Sequence, residues 1–164
     1  MGFQVENAKS KGSQSNQSGL TLAPTAETEN LSLKNYYRGT ETILVVDDEE
    51  SLRTVVVDLL SQLGYQILSA ANGPEALKLA AGYSGKIDLL LTDVVMDGLP
   101  GPELAERLLQ SRPEMKVIFI SGFADGSLAP DGVLKPGTVL VQKPFTIRVL
   151  SAKLREVLDN RNAS

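Results

Sequence analysis

The sequence contains no cysteine and no histidine. Without cysteine there is no disulfide framework, no thiolate nucleophile and no zinc–cysteine site. Without histidine there is no imidazole base, no charge-relay triad, no imidazole metal ligand and no phosphohistidine. No segment approaches the roughly 20 continuous apolar residues of a membrane helix. The opening stretch, MGFQVENAKSKGSQSNQSG, lacks the apolar core of a signal peptide. It also misses the acylation motif, because Asn7 stands where that motif requires Ser or Thr. Positive charge is in deficit: 16 Lys and Arg against 20 Asp and Glu give a net charge of −4. The chain therefore has no general attraction for nucleic acid or an anionic membrane. A cytoplasmic location is the expectation, and any chemistry must run on carboxylates, hydroxyls and amines.

What is present suits one folded domain with a substantial core. The chain has 164 residues, 42% of them hydrophobic, and its mean hydropathy is −0.03. Residues 1–40 are rich in Ser, Asn, Gln, Gly and Thr, and Lys9 to Gly19 holds no apolar residue. Such a segment cannot bury enough surface to offset its conformational entropy, so it reads as a disordered tail or linker. Leu31, Leu33, Tyr36 and Tyr37 break that pattern and could dock on the domain. Residues 41–160 form the domain, and 161–164 read as a disordered end.

Within the domain, strand-like runs at 42–46, 65–69, 87–92, 116–120 and 138–142 alternate with helical patterns. The first helix carries Leu52, Val55, Val56, Leu59, Leu60 and Leu63 as an apolar stripe. The second opens at Gly73-Pro74-Glu75 and the third at Pro102-Glu103-Leu104, each with proline in the first turn. The last runs from Thr146. Alternating strands and helices predict an α/β fold, a doubly wound parallel sheet. The run 65–69 alternates in polarity and suits a sheet edge, whereas the continuous runs suit central strands. Residues 124–137 hold Gly126, Pro130, Gly132, Pro136 and Gly137. A short helix or an irregular segment is expected there.

Each of four apolar runs ends in a group capable of chemistry. Asp47, Asp48 and Glu49 follow the first, Asp93 the third, Ser121 the fourth, and Lys143 with Pro144 the fifth. In an open parallel sheet these ends share one edge, where ligands bind. Asp93 can act as a carboxylate nucleophile that accepts a phosphoryl group. The charge of that group is commonly neutralised by a divalent cation. Asp47, Asp48 and Asp93 supply the one or two carboxylates that Mg²⁺ takes, with the Val95 backbone carbonyl as a further ligand. Lys143 supplies a fixed positive charge, Ser121 a hydrogen bond, and Gly122 leaves the approach open. A plainer reading stays open: residues 47–50 could simply cap the first helix, Asp93 and Ser121 could be turn residues, and Lys143 a surface lysine.

The stretches ILVVDDEE, LLLTDVVMDG, VIFISGF and VQKPF, in this order and at these separations, resemble the receiver domains of two-component response regulators. The resemblance covers residues 41–160. It implies a five-stranded, flavodoxin- or CheY-like sheet in the order 2-1-3-4-5 with helices on both faces. It further implies that a histidine kinase or histidine phosphotransfer protein phosphorylates Asp93, with Mg²⁺ at Asp47, Asp48 and Asp93. Ser121 would be the switch hydroxyl and Lys143 the phosphate contact, and the Lys143–Pro144 peptide bond would be cis. The lead-in Gly39-Thr40-Glu41-Thr42 and the ending Gln142-Lys143-Pro144-Phe145 are most similar to receivers of hybrid sensor kinases. Either a stand-alone receiver or one excised from a longer chain fits.

Three departures stand out. Leu140 occupies the position that usually holds the aromatic switch residue. Asp97, in Met96-Asp97-Gly98, replaces a proline and is expected to face solvent. Residues 124–137 are atypical for a face that receivers present to partners, which leaves open whether the domain forms a homodimer. Val95 and Phe123 are apolar where receivers border the phosphoryl group, and they are expected to slow its hydrolysis. Output would come from protein contact, since only one helix follows Phe145. Two alternatives remain: a degenerate receiver that binds partners without phosphorylation, and a Mg²⁺-dependent phosphohydrolase, against which Val95 stands where a second Asp is usual. No GxxxxGK[ST] or GxGxxG follows a strand, which argues against a nucleotide-binding domain.

Overall fold

The computed structural model describes residues 36–122 and 138–160. Residues 1–35 of the expected tail (1–40), Phe123, the Gly- and Pro-rich stretch and residues 161–164 lie outside them. The elements are β1 (Thr42–Val46), α1 (Glu50–Gln62), β2 (Gln66–Ala70), α2 (Gly73–Gly82), β3 (Leu89–Asp93), α3 (Gly101–Ser111), β4 (Lys116–Ser121), β5 (Val139–Gln142) and α4 (Ile147–Asp159).

The five strands are parallel and stand in the order β2-β1-β3-β4-β5. β1 and β3, the continuous apolar runs, are buried along their whole length. β2, the alternating run, lies at the edge. Successive strand residues point to opposite faces, and the core divides accordingly. Leu44, Val46, Leu90 and Phe119 pack with Ala76 and Ala80 of α2 and with Leu104, Ala105 and Leu108 of α3. Ile43, Val45, Leu89, Leu91, Ile118 and Ile120 are also buried and point to the other face. That face lies toward α1 and α4, which touch each other as α2 and α3 do.

Helix starts follow local chemistry. Asn72 accepts the Glu75 N–H at 2.9 Å while Glu75 Oε2 accepts the Ala71 N–H at 2.9 Å, a reciprocal cap at the start of α2. Thr146 caps α4 by accepting the Val149 N–H at 3.2 Å. One expectation for α1 fails. Val55 is 53% exposed, while Val56, Leu60 and Leu63 are buried. Adjacent residues lie about 100° apart on a helix, which puts Val55 at the rim of the stripe when Val56 is at its centre. The buried stripe runs through Val56, Leu60 and Leu63, and Val55 faces outward.

The edge of the sheet where strands begin is tied by long-range hydrogen bonds. The Thr42 N–H donates to Asp88 Oδ2 at 2.9 Å. Arg112 donates to the carbonyls of Ala80, Tyr83 and Gly85 at 2.8, 2.7 and 2.9 Å, closing the end of α2, which carries no basic residue of its own there. Arg155 of α4 grips both carboxylate oxygens of Glu41 at 2.8 Å and also pairs with Asp159. Residues 38–40, grouped with the tail by composition, join this network. The Gly39 N–H donates to the Leu63 carbonyl at 3.2 Å and Arg38 to the Gln62 carbonyl at 3.2 Å.

Candidate functional site

The opposite edge, where strands end, gathers the candidate residues. Asp47 follows β1 directly, Asp93 ends β3, Ser121 ends β4, and Lys143 follows β5. The pairing Asp93↔Ile120 and Ser121↔Gln142 places these ends side by side. Two backbone bonds fix the neighbouring loops: Val94 N–H to Ile120 carbonyl at 2.9 Å, and Lys143 N–H to Ser121 carbonyl at 2.7 Å. The Lys143–Pro144 peptide bond is cis.

Carboxylate oxygens of Asp47, Asp48 and Asp93 lie within 4.8 Å of one another. Asp47 and Asp93 are buried and Asp48 is exposed. Lys143 Nζ lies 3.0 Å from Asp93 Oδ2, 3.5 Å from Asp47 Oδ2 and 4.0 Å from Glu49 Oε2. The ammonium group thus faces Asp47, Asp93 and, more distantly, Glu49, with Asp48 clustered beside them. Burial pushes the Asp47 carboxyl above its usual range, and the charge of Asp93 adds to this; the Glu49 N–H and Lys143 offset it only in part. Burial works against the Lys143 ammonium, but its hydrogen bond to Asp93 and the charges of Asp47 and Asp93 prevail, so its pKa stands above the usual lysine value. The donor set is all hard oxygen, which fits Mg²⁺ and not a soft metal.

The capping reading of residues 47–50 does not describe this loop. Glu49, at the N-cap position of α1, makes no side-chain cap bond. Asp47 Oδ1 accepts the Glu49 N–H at 2.8 Å, which holds the turn and leaves Oδ2 toward Lys143.

Asp93 is held from its own backbone. Its Oδ1 accepts the Val95 N–H at 3.3 Å. The contact to Val95 is thus through its N–H, and its side chain is 52% exposed. Gly101, the first residue of α3, packs against the Asp93 peptide: a Cβ there would lie 2.0 Å from the Asp93 carbonyl oxygen. Only glycine permits that approach. Gly98, at φ 84°, occupies the left-handed region in the loop between them. Ser121 is buried. A Cβ at Gly122 would meet nothing within 4 Å, so the described residues leave that side open. Asp97 is exposed. Leu140 is partly buried against the cluster that contains Phe119, its neighbour in β4.

Two residues at this edge escaped the sequence reading. Gly101 reads as a plain helix-start residue, and its role depends on a close approach that no pattern encodes. Arg53 donates to the Asp47 carbonyl at 2.6 Å. Its signal was a basic residue near the start of a helix, where acidic ones are favoured.

Known proteins share this fold and sequence pattern. The model of the response regulator receiver domain matches residues 43–155. The response regulator receiver protein CpdR of Brucella abortus is 34% identical over 116 residues, covering 71% of this chain and 95% of its own. The sensor kinase CckA of the same organism is 33% identical over 124 residues, 76% of this chain but 13% of that kinase. The solved structure of the chemotaxis protein CheY4 of Vibrio cholerae superposes with a TM-score of 0.65 at 26% identity, covering 73% of this chain and 100% of that one. Among the described residues no helix is long and apolar enough to cross a membrane. By its fold, its matched length and these relatives, the chain belongs to the response regulator receiver domain family of two-component systems.

Proposed function

We propose that Asp93 is the phosphoacceptor of a two-component phosphorelay. The donor is a phosphohistidine of a histidine kinase or phosphotransfer protein. An Asp93 carboxylate oxygen attacks phosphorus, the phosphorus–nitrogen bond breaks, the departing imidazole nitrogen takes a proton, and an acyl phosphate forms. Asp47, Asp48 and Asp93, with the Val95 carbonyl, would hold Mg²⁺, which when bound neutralises charge on the transferring group. The observation that carries this reading is the Lys143 ammonium, 3.0 Å from Asp93 beside three clustered carboxylates. A site with that excess of negative charge is fitted to a divalent cation, and the ammonium can pass from the carboxylate to the new phosphoryl oxygens.

Ser121 then offers its hydroxyl to the phosphoryl group, and the shift of the β4 end is the conformational signal. With Leu140 in place of an aromatic ring, that signal travels through aliphatic packing against Phe119. Partners read the change by protein contact. The Val95 side chain beside Asp93 hinders attacking water, so the domain turns over its own phosphate slowly and acts as neither kinase nor phosphohydrolase.

Intact-mass analysis after incubation with acetyl phosphate and Mg²⁺ tests this. The wild type should gain a single phosphoryl adduct; Asp93→Asn, and wild type without metal, should gain none. A wild type that stays unlabelled under conditions that label a reference receiver would refute the proposal and favour a receiver that binds partners without phosphorylation.

A further inference from the structure

The loop that carries Asp47 and Asp48 is anchored by a side chain outside the carboxylate cluster. Arg53, in the opening turns of α1, is half-buried and donates from Nη1 to the Asp47 carbonyl oxygen at 2.6 Å. Asp47 has four tethers. Its N–H reaches the Ala70 carbonyl at 3.4 Å, its carbonyl takes Arg53, its Oδ1 takes the Glu49 N–H at 2.8 Å and its Oδ2 takes Lys143 at 3.5 Å. Lys143 is shared with Asp93 and is the tether that turns away when a phosphoryl group arrives. Arg53 then still holds the Asp47 carbonyl, while Ser51 reaches only the Glu49 carboxylate, at 3.3 Å.

Two features mark Arg53 as more than a surface cation. It sits close to the positive end of the helix dipole, against the usual preference for acidic residues there. With Asp47, Asp48, Glu49 and Glu50 all nearby in sequence, it bonds a backbone carbonyl and pairs with none of their carboxylates. A residue that breaks a local preference and spends its hydrogen bond on the backbone of a ligand loop is placed to fix geometry.

We propose that Arg53 is a positioning residue for the cation site: by holding the Asp47 peptide it keeps the carboxylates of Asp47 and Asp48 at the spacing that Mg²⁺ requires. This rests on reading Asp47, Asp48 and Asp93 as that site. The sign of the effect separates anchoring from charge. As a mere charge, Arg53 repels the cation, and its removal strengthens binding. As an anchor it preorganises the ligands, and its removal weakens binding.

The test is calorimetric titration of the full chain with Mg²⁺, for wild type and Arg53→Met. The variant should bind about tenfold more weakly. With acetyl phosphate as donor, its phosphorylation should need correspondingly more Mg²⁺ for half-maximal rate, yet reach the wild-type rate at saturation. Equal or tighter Mg²⁺ binding in the variant overturns the assignment of Arg53 while leaving the cation site standing. A wild type that does not bind Mg²⁺ overturns both. Should Arg53→Met fail to fold, Arg53→Gln, a good helix former, carries the same two outcomes.

Discussion

The two edges of the sheet solve the problem of charge in opposite ways. Where strands begin, charges are matched: Arg155 grips Glu41 and Asp159, and Arg112 closes three carbonyls. Where strands end, Asp47, Glu49 and Asp93 all face one lysine, with Asp48 clustered beside them. The balanced edge serves stability, because each charge keeps the partner that offsets its loss of water. The unbalanced edge is costly to the folded state, because its carboxylates outnumber the ammonium that faces them. The two edges should also respond to acid in opposite ways. The Arg155 hydrogen bonds hold Glu41 at about 2, against an ordinary 4.5. Burial pushes Asp47 the other way, above its ordinary 3.8. A depressed carboxyl contributes stability that is complete above 4.5 and fades as pH falls toward 2. A raised one costs stability as pH climbs from 3.8 through its folded value.

Four substitutions sharpen or break that contrast, ordered by their effect on stability. Gly101→Ala drives a Cβ into the Asp93 carbonyl; it should cost about 3 kcal/mol in urea unfolding and slow phosphorylation of whatever folds. Stability within experimental error of wild type would show that α3 can simply slide away. Glu41→Gln should cost about 1–2 kcal/mol at pH 7 and leave phosphorylation intact. Its deficit should shrink at pH 3, where wild type begins to lose the same contribution; a constant deficit would mean the charge plays no part. Asp47→Asn should raise the stability of the metal-free protein at pH 7 by about 0.5–2 kcal/mol and abolish measurable Mg²⁺ binding. A destabilised variant would show that the unbalanced edge is not strained. Val95→Asn should leave stability unchanged, the side chain being half exposed, and shorten the lifetime of the phosphoryl adduct several-fold; an unaltered decay would remove Val95 from the control of water.

The strand-end edge was legible in the sequence because each of its groups directly follows an apolar run. Strand order was implied by the receiver resemblance, and the side-by-side placement of Asp93 and Ser121 follows from that order. The boundaries moved by a residue or two: β2 begins at Gln66 and β3 at Leu89. The strand-start edge was not legible. Arg155 and Glu41 are 114 residues apart, and an arginine on the polar side of a helix looks like any solvated charge until its partner is known. Arg112 was hidden in the same way, since its acceptors are backbone carbonyls that carry no residue identity. Val55 departs for a simpler reason: it lies at the rim of the apolar stripe, and apolar identity alone does not bury a rim residue.

A site collected from the ends of β1, β3, β4 and β5 has a consequence during synthesis. Lys143 leaves the ribosome long after Asp47, and Arg155 of α4 later still. A nascent copy that still lacks β5 carries the aspartates without Lys143, so the pocket is complete only when the last strand has joined the sheet.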